Sequence, residues 1–448
     1  MIPFPISDAS PIAHPGPPPA EADVVIVGGG IVGVMTAWHL ARDGVRVVLI
    51  EKGRVAGEQS SRNWGWIRAQ GRDAAELPIV VEAGALWRDL AETIGEDLGL
   101  RQTGVAYLAK DAAEMAGYEA WLPNAVAAGV DSRLLGSAEV AALLPEAART
   151  WAGGLWTATD MRAEPWVAVP ALARAAVREG AQIVEGCAVR SLDVEAGRIA
   201  GVITEAGRIK AGSVVVAGGA WSSLLLRRHG IALPQLSVRA TVVATEPGPE
   251  VFSGAAVDGL LAWRRRQDGG FTLAPSGYRE LFVGPDAFRH LRKYAQQIYQ
   301  DPLGTRLWPK APKGFPDAWG TPRRWDADKP SPFEAMRVLN PAPNHARVTK
   351  MLRDFEATFP GHGPARAKAA WAGMIDTMPD VVPVVDRAES LPGLTIATGM
   401  SGHGFGIGPA FGRIAAALVQ GKEPGHDLSR FRLSRFSDGS KLVLGPSL

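Results

Sequence analysis

The sequence predicts an α/β fold: a parallel-sheet unit of alternating strands and helices, with an antiparallel α+β domain inserted into it. Three observations predict it. Residues 23–52 read as strand, glycine turn, helix, strand and terminal acid. Two further glycine-rich strand-to-helix turns recur far downstream, at 217–222 and 399–409. Between them, from Leu236 to about Trp371, the pattern changes to antiparallel-looking strands and loops.

The first unit carries the most specific signal. Val24–Val27 is apolar and β-branched, as in a buried parallel strand. Gly28, Gly30 and Gly33 have the G-x-G-x-x-G spacing, which allows a tight turn, backbone approach to a pyrophosphate, and close helix–strand packing. The helix that follows offers its N-terminal N–H groups to phosphate. Val45–Ile50 is the second strand, and Glu51 ends it where a carboxylate reaches both ribose hydroxyls. An acid there disfavours a 2′-phosphate. The uncharged run Val24–Ala41 is long enough to cross a membrane, but its glycines and the following β-branched strand argue for a Rossmann-like unit.

Gly57–Trp66 is a polar and aromatic loop after the second strand, at the sheet end where such folds bind ligands. Residues 77–95 read as an amphipathic helix, 102–109 as a strand, and 113–128 and 137–144 as helices. Trp166–Glu179 is an Ala-rich helix, and Val184–Val189, Ile199–Thr204 and Ile209–Val216 are strands. In the inserted region Val238–Thr245, Leu260–Arg264 and Phe271–Ala274 read as strands. Alternation along the second places Arg264 and Arg266 on one face and Arg265 on the other. Gly393–Thr398 is the last parallel strand. A glycine-dense loop follows, with Pro409 in the first turn of helix Ala410–Gln420.

These elements divide the chain. Residues 1–22 form a proline-rich extension. Residues 23–101, 145–235 and 366–448 form the nucleotide-binding domain, and 102–144 with 236–365 the substrate domain. Within the latter, 288–330 is an irregular basic insertion with nine Lys or Arg against four Asp. It reads as a solvated surface, or as a docking site for anionic lipid or a partner protein.

Composition is that of a globular enzyme, 46% hydrophobic and 21% charged, and a net charge of +2 gives no sign of nucleic-acid binding. Cys187 is the only cysteine and is expected to be a small buried hydrophobe; no disulfide and no metal site is expected, since the eight histidines form no cluster. Met1–Ala20 has seven prolines and no Lys or Arg, unlike a signal peptide, so a cytoplasmic location is expected, with peripheral membrane contact through 288–330 left open.

The three glycine turns, Val55-Ala-Gly-Glu-Gln-Ser-Ser-Arg62, Val214–Ser222, Ser331-Pro-Phe-Glu334 and Trp371-Ala-Gly373 with Pro379-Asp380 resemble the FAD-dependent amino-acid oxidase superfamily, most of all the bacterial L-amino-acid deaminases. The resemblance implies non-covalent FAD, since Cys187 lies outside the positions used for covalent attachment. It implies cofactor contacts at Gly28, Gly30, Ile31, Val32, Gly33, Glu51 and Lys52, then at Gln59, Ser60, Ser61, Arg62 and Asn63. Val189 would lie by the adenine; Ala217, Gly218 and Trp221 would form the second contact segment, and Gly402, His403, Gly404, Phe405 and Gly406 the flavin edge.

By the same resemblance Arg264 would grip the substrate carboxylate; Arg266, on the same face by alternation, is its competitor. Trp66 and Met400 stand where the deaminases have a pocket Gln and a pocket Trp. Asp376, where they are apolar, would favour a cationic side chain. The activity implied is oxidative deamination of an α-amino acid, L favoured, to a 2-oxo acid and ammonia, with oxygen or a quinone as acceptor. A D-amino-acid or secondary-amine dehydrogenase, and a flavin-carrying electron-transfer subunit, are the alternatives. Oligomerisation is left open.

Overall fold

The computed structural model describes residues 4–302 and 304–445. The outermost residues of the predicted extension and of the last predicted segment, and Leu303 in the insertion, lie outside the described residues. Along the chain run β1 (Val24–Val27), α1 (Ile31–Arg42), β2 (Val47–Ile50), α2 (Leu77–Thr93), α3 (Pro165–Arg178), β3 (Gln182–Val184) and β4 (Ser213–Val216). The inserted region contributes β5 (Leu236–Thr245), β6 (Leu261–Arg265), β7 (Phe271–Pro275), β8 (Arg279–Phe282), α4 (Leu291–Gln300) and β9 (Thr305–Trp308). Last come β10 (Ala367–Thr377), β11 (Val384–Arg387), β12 (Leu394–Thr398) and α5 (Gly404–Val419).

One sheet has the order β11-β12-β4-β1-β2-β3, parallel except for β11. The three glycine-rich turns follow β1, β4 and β12. These strands are neighbours, so segments nearly 400 residues apart in sequence converge at one sheet end. The second sheet has ten strands. β5, β7 and β6 lie at its centre, β8 and β9 at one edge, and β10 pairs along the whole of β5. Strand Gly153–Thr157 and β10 belong to this sheet, although the sequence places both segments in the nucleotide-binding domain.

Three boundaries differ from expectation for local reasons. The strand expected over Val184–Val189 ends at Val184, because the Glu185 carboxylate turns back to accept the N–H groups of Ala13, His14 and Val55. The strand expected over Ile209–Val216 breaks at Ala211-Gly212. The last helix begins at Gly404, six residues early, and Pro409 lies inside it. Its glycines serve close helix packing: a Cβ on Gly412 would lie 2.4 Å from that of Met35 in α1. Among the described residues no helix is long and apolar enough to cross a membrane; Val24–Ala41 is a strand, turn and helix.

The proline-rich extension is a strap. Phe4 stacks on Trp166 at 4.6 Å and meets Trp371 edge-on. The Arg62 guanidinium donates to the carbonyls of Ile6, Gly57 and Ala372 and to Asn340, so it staples strap, loop and β10 together.

Candidate active site

A large cavity begins at the carboxyl ends of β1 and β2 and runs beneath β5 and β10. Its volume, with the open solvent at its mouth, is about 2100 Å³, well beyond what one small ligand fills.

The nucleotide end is built by β1, α1 and β2. Gly28 has φ +111, and a Cβ on Gly33 would lie 2.1 Å from the Gly28 carbonyl oxygen. Only glycine closes this turn. The half-buried Glu51 carboxylate accepts the N–H groups of Gly29 and Gly53, each at 2.7 Å, which fixes it at the end of β2. Ser60 Oγ accepts the N–H of Ile31 at 3.0 Å, so the Gln59–Arg62 helix is tied to the start of α1. The cradle fits a dinucleotide.

Most of the expected cofactor residues line this cavity: Gly28, Gly30, Ile31, Val32, Glu51, Lys52, Gln59, Ser60, Arg62, Asn63, Val189, Ala217, Gly218, Trp221 and the segment Gly402–Gly406. Gly33 does not, because its place is under the helix. Ser61 does not, because it is fully buried behind the helix it belongs to. Lys52 is already engaged by Glu58 at 2.6 Å and by two carbonyls. Cys187 is buried and lies off the cavity lining. Acid precipitation is therefore expected to leave the flavin in the supernatant; flavin retained in the pellet would show a covalent bond through another residue.

The substrate residues divide. Trp66, Asp376 and Met400 border the cavity. Arg264 and Arg266 are not among the residues that line it, and each is engaged by protein partners. The Arg264 guanidinium is fully buried and forms two parallel hydrogen bonds with the Glu164 carboxylate, at 2.9 and 3.0 Å. Arg266 donates to the carbonyls of Phe271 and Thr245 and to Asp268. Alternation put both on one face, and that face is buried, with partners that belong to the protein. Arg265 is half-buried and donates to Gly248 and Pro249.

Two arginines that sequence reading passed over stand on the cavity wall instead. Arg68 and Arg72 lie between the short strand Trp66–Ile67 and α2. Arg72 is buried, and its Nη1 has no protein partner. Burial, reinforced by Arg68, lowers its pKa to about 9. Their i, i+4 spacing is the only clue the sequence offers, and no regular element there gives it meaning.

His403 caps α5, and its Nδ1 lies 3.2 Å from the buried Glu76 carboxylate at the start of α2. Burial, with Arg72 adding to it, lowers the His403 pKa to about 4. The imidazole is therefore neutral at pH 7, with its proton held on Nδ1 by Glu76. Nε2 is left as a buried acceptor without a partner. Asp376 adds a second unpartnered acceptor, opposite in charge to Arg72. One carboxylate oxygen accepts Gly399 N–H at 2.9 Å and Gln235 at 3.2 Å; Oδ1 has no partner, and burial raises the carboxyl pKa. Unsatisfied buried groups of both signs border one cavity, as a site for a zwitterion requires.

A dinucleotide cradle opening beneath an antiparallel sheet defines a class: two-domain dinucleotide-binding proteins with the ligand cavity between the sheets. Within that class, a family model of FAD-dependent oxidoreductases, DAO, matches residues 23–418, and the chain belongs to that family. It superposes on L-amino acid deaminase from Proteus myxofaciens, solved in complex with anthranilate, with a TM-score of 0.91 and 29% identity, covering 96% of this chain and 97% of the other. It is 27% identical to glycine oxidase from Geobacillus kaustophilus over 92% of this chain and 97% of the relative. It is 32% identical to mitochondrial sarcosine dehydrogenase from Mus musculus over 51% of this chain, and that match spans 26% of the longer relative.

Proposed function

We propose that this chain oxidises an L-α-amino acid at its Cα–N bond, with preference for a cationic side chain. The observation that carries the reading is the pairing, around one cavity, of Arg72 with an unsatisfied donor and Asp376 with an unsatisfied acceptor. FAD supplies the electron sink when bound. Arg72, backed by Arg68, holds the substrate carboxylate. Asp376 accepts the ammonium or guanidinium of the side chain. Trp66, Ile375 and Met400 form apolar wall that excludes water. The likeness to an L-amino acid deaminase across the whole chain supports the substrate class and its hand.

Anaerobic mixing with paired enantiomers tests this. Bleaching of the flavin by L-arginine and L-lysine, faster than by L-leucine or L-phenylalanine, is expected. Asp376→Asn should lower kcat/KM for the basic substrates by about tenfold or more and leave leucine nearly unchanged, since a charge-assisted pair in a buried pocket is worth about 2 kcal/mol or more. Faster oxidation of leucine overturns the side-chain preference, and no bleaching by any amine overturns the enzyme. The sarcosine dehydrogenase and glycine oxidase relatives favour a second reading, a secondary or unsubstituted glycine-type amine; sarcosine outrunning every primary amino acid would select it.

The acid limb of kcat/KM is expected to follow the substrate amine. His403 is neutral down to about pH 4, so it does not titrate in the working range. Two substrates of different amine pKa should shift the limb by that difference. A limb near 6.5 that ignores the substrate and vanishes in His403→Gln would instead assign it to the imidazole.

A further inference from the structure

Resting on the assignment of the substrate carboxylate to Arg72 and Arg68, we infer that Asp160 and Trp121 are the positioning residues of that contact. Neither borders the cavity. Both hold, from behind, the loop that carries the two arginines.

Residues 68–76 form no helix or strand, and Gly71 within them has φ +68. Long arginine side chains on such a loop meet a ligand in one place only if the backbone beneath them is tied down. The ties come from one side. Asp160 Oδ1 accepts Ala69 N–H at 2.7 Å. The Gln70 side-chain amide donates to the Leu155 carbonyl at 2.6 Å. The Trp121 indole donates to the Arg72 carbonyl at 2.9 Å. Leu155 lies in strand Gly153–Thr157 of the ten-stranded sheet, and Asp160 follows that strand. Trp121 stands on helix Ala112–Ala127, which packs against the same strand. The loop thus takes its place from the antiparallel sheet, and Arg430 holds its far end at Asp73.

Asp160 is not there as a counter-ion. It is buried, and the charges of Arg68 and Arg72 reach it. Yet neither guanidinium donates to it, and Oδ2 is left without a partner. The buried pair of Glu164 and Arg264, by contrast, closes with two parallel bonds. Here the carboxyl group spends its bond on the backbone, and Arg72 keeps Nη1 for a ligand. Burial raises the Asp160 pKa to about 7, so ionised and neutral forms coexist at neutral pH. Both forms present an oxygen acceptor to Ala69. The tie therefore needs the acceptor and not the charge, and an amide should serve.

Steady-state kinetics of the holoprotein with L-arginine and L-leucine test this, with Arg72→Met run alongside. Asp160→Ala leaves a buried N–H without its acceptor and frees the loop. KM should rise about tenfold, with kcat within about threefold and flavin content at wild type. Asp160→Asn should bring KM back to within about twofold of wild type. Trp121→Phe keeps the half-buried ring and loses one donor, so KM should rise about threefold. It decides the matter if Asp160→Ala does not fold. Arg72→Met raising KM while Asp160→Ala, or in its absence Trp121→Phe, stays at wild type overturns the inference alone. So does a loss in Asp160→Asn as large as in Asp160→Ala, which would make the charge the active property. A fall in kcat or flavin content with KM unchanged makes the role structural and also overturns it. Arg72→Met at wild-type KM overturns the reading of the cavity, and the inference with it.

Discussion

Arg264→Met is expected to lower unfolding stability by about 3–5 kcal/mol, the cost of stranding one member of a buried ion pair. Glu164 sits at the start of α3 and is as buried as its partner. Besides the two bonds from Arg264, it accepts Gln267 N–H at 2.8 Å and faces Arg162 at 3.3 Å. Without Arg264 those two contacts must hold a carboxylate shut away from water. The pair also spans 100 residues and joins β6 to the nucleotide-binding side of the molecule. Urea unfolding of Arg264→Met, Glu164→Gln and the double variant checks this. The double variant should recover part of the loss, because no unpaired charge remains. Unchanged stability with kcat/KM reduced tenfold or more would return Arg264 to the substrate, as the family resemblance implied.

Arg264 also shows where sequence reading stops. Period-2 alternation put Arg264 and Arg266 on one face of a strand, and that face is the covered one. What covers them is Glu164, which no local pattern can associate with residue 264. The nucleotide cradle was legible because each of its requirements is local: two glycines with no room for a Cβ, and one acid at a strand end. The convergence of the three glycine turns was legible in kind; their adjacency came from the strand order. The start of α5 was misplaced because glycine density reads as loop. Here it is the condition for α5 to lie against α1. An apolar stripe on α4, at 291, 295, 298 and 299, is plain in the sequence and is exposed. Surrounding prolines and charges make the segment read as irregular, and no sequence pattern says that a stripe faces outward.

Arg72→Met is expected to separate activity from stability in the opposite sense to Arg264→Met. Arg72 is buried beside a second cation, with one donor unsatisfied and its pKa lowered to about 9. The free protein therefore holds this charge at a cost that a carboxylate in the cavity relieves. Methionine fills similar volume without the charge, so stability should hold or rise, as when an imperfectly compensated buried ion is replaced by an apolar side chain. Catalysis should not survive so well. Losing a charge-assisted, two-point contact with a carboxylate costs about 2–5 kcal/mol, which is about thirtyfold to several thousandfold in kcat/KM. Amines without a carboxylate should lose far less, and flavin content should not change. Arg68→Met should give the same sign with a smaller loss, because Arg68 is only half-buried and spends a donor on the Gln70 carbonyl. Chemical denaturation and steady-state kinetics on the same preparation decide the matter. Loss of stability with kcat/KM intact would make Arg72 a partner of Glu76 and His403 in holding α2 to α5, and the carboxylate would then belong to another cation on the cavity wall.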